Sequence, residues 1–178
     1  RLLFGWMGVP DGEEMLQPTR ESGWIHQMTC PRELTWQQDQ LWQRPARELM
    51  QLRGNHHHWQ GPGDSAPVLD ADSTEVIVRL TGDITLNFAD TLMLDCQETG
   101  LRLSRRSLES GEWVHRYWQG QPHQLQILCD HSSVEIFIND GAGVMSSRYF
   151  PEKTATLTFG GTSEITVDYW PLKACMVE

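Results

Sequence analysis

Short stretches of alternating apolar and polar residues dominate the second half of this chain. They recur roughly every ten residues from residue 75 onward, with no helical period between them; VIVRL (76–80), ITLNF (84–88) and LQILC (125–129) are examples. We count about ten such strands between Val76 and Trp170, which is enough for two packed antiparallel sheets. The pattern therefore predicts an all-β protein whose main part is an antiparallel β-sandwich.

A turn signal separates two of these predicted strands. VEIFI (134–138) is followed by Asn139, Asp140 and Gly141, and Val144 begins the return strand. An Asp-Gly pair readily takes the positive φ of a tight hairpin turn. We therefore assign residues 139–141 to a turn.

The first 36 residues have a different pattern. They hold two apolar, aromatic-rich runs, 2–9 and 24–34, separated by the polar loop 10–22, which predicts a strand pair with a long loop. The chain begins RLLFGW without an initiator Met, so we expect it to be cut from a longer protein. Because isolated strand edges recruit other strands, we expect residues 1–36 to be disordered or to make contacts that the parent lacks. Homo-oligomerisation through this segment is the preferred outcome.

A linker is predicted between the two regions. Apolar residues recur at three- and four-residue spacing between Pro45 and Gly54, which predicts a two-turn helix with Pro at its first position. Residues 55–67 are rich in His, Gly and Pro and are predicted to form a loop. The predicted domains are thus a strand region at 1–44, a linker helix and loop at 45–65, and the β-sandwich at 66–178.

Composition excludes some classes of partner. The chain is acidic, with a formal net charge of −10 and a pI of about 5.1. Its negative charge repels phosphate backbones and anionic lipid surfaces, so we expect neither nucleic acid nor membrane as a partner. No run approaches the roughly 20 apolar residues of a membrane span, and no signal segment opens the chain. Cys30, Cys96, Cys129 and Cys175 are too dispersed for a zinc site or disulfide framework, so we expect buried thiols in a reducing cytosol and no cofactor.

Four segments occur in an informative order. They are RLLFGWM (1–7), MTCPREL (28–34), LWQRP (41–45) with EL (48–49) and LR (52–53), and DHSSVEIFINDG (130–141) continuing to SRYFP (147–151). Each resembles a feature of glycoside hydrolase family 32. The first resembles a strand of the family's last propeller blade, and the second resembles its T-x-P-R-E-L segment. The third resembles its L-x-Q-x-P-x-x-E-L-x-x-L-R linker, and the fourth its D-x-S-S-V-E-I-F-x-N-D-G hairpin. The last is the most specific. The chain therefore resembles the C-terminal portion of this family, which includes invertases and sucrose-6-phosphate hydrolases.

The resemblance implies a fold and a role. Family members cleave fructosides with a five-bladed propeller to which a β-sandwich is attached, so residues 1–44 would be the remnant of the final blade. Their retaining chemistry uses a covalent fructosyl intermediate and two carboxyl groups about 5–5.5 Å apart, which lie in the propeller. The family's N-D-P-N-G, R-D-P and E-C segments are absent from this sequence. We therefore assign no catalytic, cofactor-binding or metal-binding residue.

Several polar clusters have both a functional and a structural interpretation. Residues 130–132 (Asp-His-Ser) contain the side-chain types of a hydrolytic triad, but neighbours at a strand end face different ways. Three consecutive His, 56–58, give no tetrahedral metal cage, which favours a solvated loop. Residues 139–141 echo the nucleophile motif but lack its Pro. Arg32 and Glu33 either reach toward the propeller's pocket or bridge propeller and sandwich, and we favour the bridge.

Five of the tryptophans lie in the first third of the chain: Trp6, Trp24, Trp36, Trp42 and Trp59. Aromatic rings stack on sugars, but they also bury large apolar areas at interfaces. We expect most of these rings to pack against the absent propeller.

The resemblance thus implies an accessory β-sandwich that supports the propeller of a cytoplasmic enzyme hydrolysing sucrose or sucrose 6-phosphate. By itself the chain is expected to be inactive. Two alternatives stay open: a carbohydrate-binding module, which exposed aromatic residues lining a groove would favour, and an oligomerisation module, which a flat apolar patch would favour.

Overall fold

The structure is a computed structural model that describes residues 1–8 and 11–174. The strands are β1 (Leu2–Leu3), β2 (Trp6–Met7), β3 (Gln27–Met28), β4 (Arg32–Gln37), β5 (Gln40–Pro45), β6 (His57–Pro62), β7 (Leu69–Asp70), β8 (Thr74–Leu80), β9 (Ile84–Phe88), β10 (Leu92–Gln97), β11 (Gly100–Arg106), β12 (Trp113–Gln119), β13 (Gln124–Asp130), β14 (Ser133–Ile138), β15 (Gly143–Arg148), β16 (Thr156–Gly160) and β17 (Glu164–Pro171). One short α-helix, α1 (Asp11–Glu14), and four 3₁₀ turns (Pro18–Ser22, Arg47–Leu52, Gly63–Ser65, Asn139–Gly141) complete the described elements.

Two antiparallel six-stranded sheets form the sandwich, which we define as residues 57–171. The first sheet has the order β12-β11-β10-β9-β16-β7, and the second has the order β15-β14-β13-β8-β17-β6. Ten strands, β8 to β17, cover the stretch in which about ten were predicted. The predicted all-β sandwich is confirmed.

The core lies between the two sheets. Alternate residues of β9, β10 and β13 are buried, as a pleated strand with one face on the core requires. Every member of the main buried cluster lies between Leu69 and Val167. The sandwich therefore supplies its own core.

Strand β14 departs from this alternation, because all six of its residues are buried. Val134, Ile136 and Ile138 belong to the core cluster, whereas Glu135 and Phe137 are buried outside it. Their face of the sheet is covered by the N-terminal part of the chain. Burial on both faces marks β14 as the strand on which the two regions meet.

Residues 1–45, here called the blade segment, form two small antiparallel units. β1 pairs with β4, which pairs with β5, and β2 pairs with β3. The predicted pairing of the two apolar runs is confirmed, although their connection includes α1 and a 3₁₀ turn. The structure packs this segment onto the sandwich of the same chain through the contacts described below, so the expectation of disorder is wrong for its described residues. The expected self-association through residues 1–36 stays a prediction.

The linker differs from its prediction in two ways. Pro45 ends β5, and the predicted two-turn helix is a 3₁₀ turn at Arg47–Leu52, closed by hydrogen bonds from Leu49 N to Ala46 O and from Arg53 N to Met50 O. Residues 55–67, predicted as a loop, contain the edge strand β6, which pairs with β17. The prediction failed there because β6 gains its stability from a partner more than 100 residues away, not from its own pattern.

The three cysteines that the structure describes are free thiols, as predicted. Cys96 and Cys129 are buried, Cys30 is half-buried and all three are free, while Cys175 lies outside the described residues. Among the residues that the structure describes, no helix combines the length and the apolar character that crossing a membrane requires.

Candidate functional site

The main polar cluster joins the blade segment to the sandwich and is centred on Glu135. This carboxylate accepts hydrogen bonds from Cys30 N at 2.6 Å and from Arg32 Nε and Nη2 at 3.2 and 2.5 Å. Arg32 also donates to Gln43 Oε1 at 3.2 Å and to Ser146 Oγ at 2.6 Å. Its guanidinium lies 5.4 Å from the ring centroid of Phe137. We call this cluster the junction.

The junction excludes solvent, since Arg32 is 7% exposed and Glu135 is 4% exposed. A buried charge is tolerated only when it is paired and hydrogen-bonded, and both ions here meet that condition. Burial, followed by the neighbouring Glu135 carboxylate, raises the pKa of the Cys30 thiol well above its ordinary value. A protonated, buried thiol is a poor nucleophile, and a carboxylate surrounded by fixed donors is a poor general base. The chemistry of the junction is therefore structural.

Arg148 makes a second tie between the two regions. It donates to Ser132 O at 3.1 Å and to Ile25 O of the blade segment at 2.8 Å, and its guanidinium carbon lies 5.3 Å from the ring centroid of Trp24 and 5.0 Å from that of Phe150. Desolvation by burial lowers the pKa of this guanidinium below its ordinary value. Carbonyl oxygens and aromatic faces thus hold a buried cation in place.

Two further ion pairs link the N-terminal 53 residues to the sandwich. Glu13 accepts from Arg105 Nη2 and Ser107 Oγ, both at 3.1 Å. Arg53 donates to both oxygens of Glu75, at 2.7 and 2.6 Å, a bidentate geometry that fixes the direction of the chain as it enters the sandwich.

The turn at Asn139–Gly141 also contacts the blade segment. All three residues have positive φ, as the Asp-Gly signal predicted, and the turn is confirmed. Asp140 accepts from Arg44 Nη2 at 2.7 Å. A Cβ on Gly141 would lie 2.2 Å from Gln43 O, so glycine is required both by the backbone and by the close approach of β5.

The favoured bridging role is found for Arg32 but not for Glu33. Glu33 lies opposite Leu2 and Arg44 within the blade segment and makes no side-chain hydrogen bond to the described part of the sandwich. The two residues are adjacent on a strand, so their side chains point to opposite faces and only one can reach β14.

His57 and His58 lie on the edge strand β6 and His56 directly precedes it, so the predicted loop is wrong for 57 and 58, although all three side chains are exposed to solvent. His56 Nε2 and His58 Nδ1 are each 2.9 Å from Asp168 Oδ1, and Arg79 Nη1 is 2.8 Å from Oδ2. His57 faces the other way and stacks on Tyr169 at 4.8 Å. Partial burial acts to raise the pKa of Asp168, but hydrogen bonds from His58, Arg79 and His56 outweigh it and lower the pKa to about 2.

Residues 130–132 do not form a catalytic relay. Ser132 Oγ bonds to Gln27 and Arg148, whereas His131 Nδ1 faces Asp130 and Asp72, at 3.1 and 2.9 Å. Asp72, Asp130 and His131 place three potential metal ligands within 4.8 Å of one another, a grouping that the sequence did not reveal. Their side chains are 42–71% exposed, so water competes for any ion there.

The early tryptophans divide between the two regions. Trp59 packs against the sandwich core and is therefore not among those expected to contact the propeller. Trp6 and Trp36, on the blade segment, are 66% and 71% exposed, and Trp24 is also exposed. The expectation of a propeller contact stays a prediction for these three.

Sequence reasoning identified Arg32 but missed its partner. Glu135 stood in the predicted strand at an outward position flanked by apolar residues, within a segment of high apolar content. A charge at such a position indicates a covered outer face, and that was the available signal.

Comparison with known families agrees with this architecture. Residues 68–171 match the profile described as "Glycosyl hydrolases family 32 C terminal", and residues 1–45 match "Glycosyl hydrolases family 32 N-terminal domain". The first match covers the sandwich from β7 to β17, and the second covers the blade segment. The junction thus joins the segment that matches the N-terminal domain of this family to the segment that matches its C-terminal domain.

Individual relatives agree as well. The chain is 53% identical to a sucrose-6-phosphate hydrolase of Salmonella typhimurium, over 100% of this chain and 38% of the relative, and 36% identical to one of Bacillus subtilis, over 97% and 39%. The chain therefore spans about two fifths of the length of these curated relatives.

Solved structures show the same fold. A sucrose-6-phosphate hydrolase from Lactobacillus gasseri superposes with a TM-score of 0.79 at 22% identity, over 98% of this chain and 39% of that one. An exo-inulinase from Aspergillus awamori gives 0.77 at 16% identity, over 97% and 40%. Both the blade segment and the sandwich match this family. The chain therefore belongs to glycoside hydrolase family 32 and corresponds to the C-terminal part of its members.

Proposed function

We propose that this chain is the C-terminal part of a β-fructofuranosidase that hydrolyses sucrose or sucrose 6-phosphate, and that its sandwich supports the catalytic propeller. The observation that carries the proposal is the 53% identity, over the whole chain, to relatives named sucrose-6-phosphate hydrolase. The chemistry would belong to the propeller as a retaining mechanism. The present residues would hold the last blade in register.

The junction supports this division of labour. Two buried cations, Arg32 and Arg148, come from opposite sides of the contact and end on groups of the other region. Such fully desolvated hydrogen bonds are directional and therefore fix the relative orientation of two units more narrowly than apolar packing does. A propeller blade held in this way is a rigid support.

The blade segment also presents apolar side chains to solvent. Its exposed members include Leu2, Phe4, Trp6, Met28 and Trp36. Exposed apolar surface of this kind marks an interaction site. We assign it to the remaining blades of the propeller, and in their absence to self-association of the chain.

The cytoplasm is the proposed location. The curated relatives carry names that specify a phosphorylated sugar, a substrate expected inside the cell after import. The free thiols of Cys30, Cys96 and Cys129 suit a reducing compartment.

A chimera tests the proposed function. The corresponding C-terminal 38% of the Salmonella typhimurium relative is replaced by this chain, and release of hexose from sucrose 6-phosphate and sucrose is measured. We expect an active chimera, because the junction residues come with the chain, and no turnover by the 178-residue chain alone.

Two results contradict the proposal. One is a chimera that is folded by circular dichroism and inactive. The other is hydrolysis by the isolated chain that persists through repurification and survives substitution of Glu135 and Asp140. Light scattering of the isolated chain and of a version starting at Arg53 tests self-association, which we expect to disappear on truncation.

A further inference from the structure

The outward face of β10, β11 and β12 carries a patterned set of polar and aromatic side chains. Asp95, Arg102 and Tyr117 lie directly opposite one another across the three strands. In the adjacent row, Gln97, Gly100 and Gln119 are likewise opposite one another. All of these side chains point away from the core, because their strand neighbours Cys96 and Leu101 are buried in it.

Gly100 makes a depression in this face. It stands between two glutamines, each about 5 Å away across the sheet, and has no side chain to fill the space. A Cβ at this position would lie 2.7 Å from the carbonyl oxygen of Trp118, so the close packing of β11 on β12 requires glycine. The result is a cavity of about 320 Å³, a size that small-molecule sites have.

One wall of the cavity is aromatic. Tyr117 is 69% exposed although it lies in the middle of β12. Exposing a large ring to water is unfavourable, and the ring offers a flat apolar face with a hydroxyl group at its tip. Nothing in the described residues covers it.

In the same row, beside Tyr117, Asp95 and Arg102 form a charged pair whose net charge is zero. Arg102 donates from both Nε and Nη2 to Asp95 Oδ2, with the Nε bond at 2.9 Å. Asp95 Oδ1 accepts no hydrogen bond from the described residues and is free to accept one. Because the pair cancels, the site has no field that would favour a phosphate over a neutral ligand.

Together these groups fit the chemistry of a sugar. Each hydroxyl both donates and accepts, and the cavity offers acceptors on Asp95, donors on Arg102 and both kinds on the two glutamines. The C–H face of a furanose or pyranose ring is apolar and packs against an aromatic face through dispersion and weak C–H contacts. We propose that this face binds a neutral carbohydrate unit, stacked on Tyr117 and hydrogen-bonded by Gln97, Gln119 and the Asp95–Arg102 pair.

This proposal is independent of the proposed function. The site is built from three strands of one sheet of the sandwich, while the junction uses Glu135, Phe137 and Ser146 of the other sheet. Loss of one would leave the other intact, so the two can fail separately.

The test uses the full 178-residue chain and three probes: sucrose, sucrose 6-phosphate and the neutral oligosaccharide 1-kestose. Saturation-transfer NMR identifies bound sugar protons, and calorimetry gives affinity. We expect saturable binding of the two neutral sugars, no tighter binding of the phosphorylated one, and saturation transfer strongest to C–H protons of a single ring face.

Variants locate the site. Tyr117→Ala should weaken binding by about fivefold or more, and Tyr117→Phe should keep most of it, because stacking depends on the ring. Gln119→Ala should weaken binding by a smaller factor. The matched control is Trp36→Ala, which removes an equally exposed aromatic residue from the blade segment.

Three outcomes with the neutral sugars overturn the proposal. They are no saturable binding of either neutral sugar, binding that Tyr117→Ala leaves unchanged while the thermal melt shows a folded protein, and binding lost equally in Trp36→Ala. Preference for sucrose 6-phosphate over sucrose would also overturn it, since it would require a positively charged site.

Discussion

The blade segment and the sandwich bury different kinds of residue. Among the described residues of the sandwich, 25 buried residues are apolar and eight are polar or charged. In the described part of residues 1–53, two buried residues are apolar, Met7 and Ala46, and four are polar or charged: Glu13, Gln17, Thr29 and Arg32. The sandwich is thus held by the hydrophobic effect and the blade segment by directed polar contacts.

The polar atoms of the two regions differ in the same way. Among the described residues, the blade segment has buried side-chain atoms without a hydrogen-bond partner on four residues: Gln17, Thr19, His26 and Trp42. The described part of the sandwich has one such residue, Asp72, and its carboxylate lies 2.9 Å from His131. A region that folds by itself satisfies its buried polar groups. The difference teaches that the sandwich is a complete folding unit and that the blade segment is part of a larger one.

The largest effect is expected at the junction. Arg32→Ala leaves the buried carboxylate of Glu135 without its counter-ion, a change that costs about 3–5 kcal/mol when the charge stays buried. Undocking of the blade segment would return Glu135 to water, so the loss should appear as local opening. Hydrogen exchange at the amide of Cys30 and limited proteolysis of residues 1–30 measure it. Arg47→Ala, in an exposed pair with Glu48, is the control and should change little.

Removal of apolar volume should separate the two regions more sharply. Leu94→Ala, at a fully buried position, is expected to lower the free energy of unfolding by about 2–5 kcal/mol. Leu41→Ala, on an exposed position of the blade segment, should lower it by less than about 0.5 kcal/mol. Urea denaturation followed by circular dichroism gives both values. Equal losses would contradict the view that only the sandwich has an apolar core.

The turn between β14 and β15 offers a smaller test. Gly141→Val should cost about 1–3 kcal/mol, because its φ is +97° and the new side chain meets Gln43 of β5. Gly111 has a φ of +73° with open space around it, so Gly111→Val carries the backbone strain without the clash. Thermal melts should rank Gly141→Val below Gly111→Val. The reverse order would mean that β5 does not press on the turn.

The smallest effect concerns Asp168 and pH. Its pKa is lowered from 3.8 to about 2 in the folded chain, so its contribution to stability is present above about pH 4 and is lost as the pH falls toward 2. Asp168→Asn should therefore lower stability at pH 6, by about 1 kcal/mol or less because its partners are half exposed, and match the parent chain near pH 2. Urea unfolding across this range measures the difference. Asp39→Asn, at an exposed turn, is the control and should change the free energy of unfolding at pH 6 little.

The sequence determined the sandwich and its strands. Alternation with period two is a local property, so β8 to β17 and the turn at Asn139–Gly141 could be predicted from neighbouring residues alone. The family resemblance rested on local motifs in the same way.

Tertiary structure alone decided what lies against what. The edge strand β6, the partner of Arg32, and the Asp168 contacts to His56 and His58 all join residues far apart in the chain. No local pattern encodes which outward face another region will cover, because that depends on long-range packing. The sequence therefore determined the strands, and folding in three dimensions decided which of their outer faces became a junction and which stayed open to solvent.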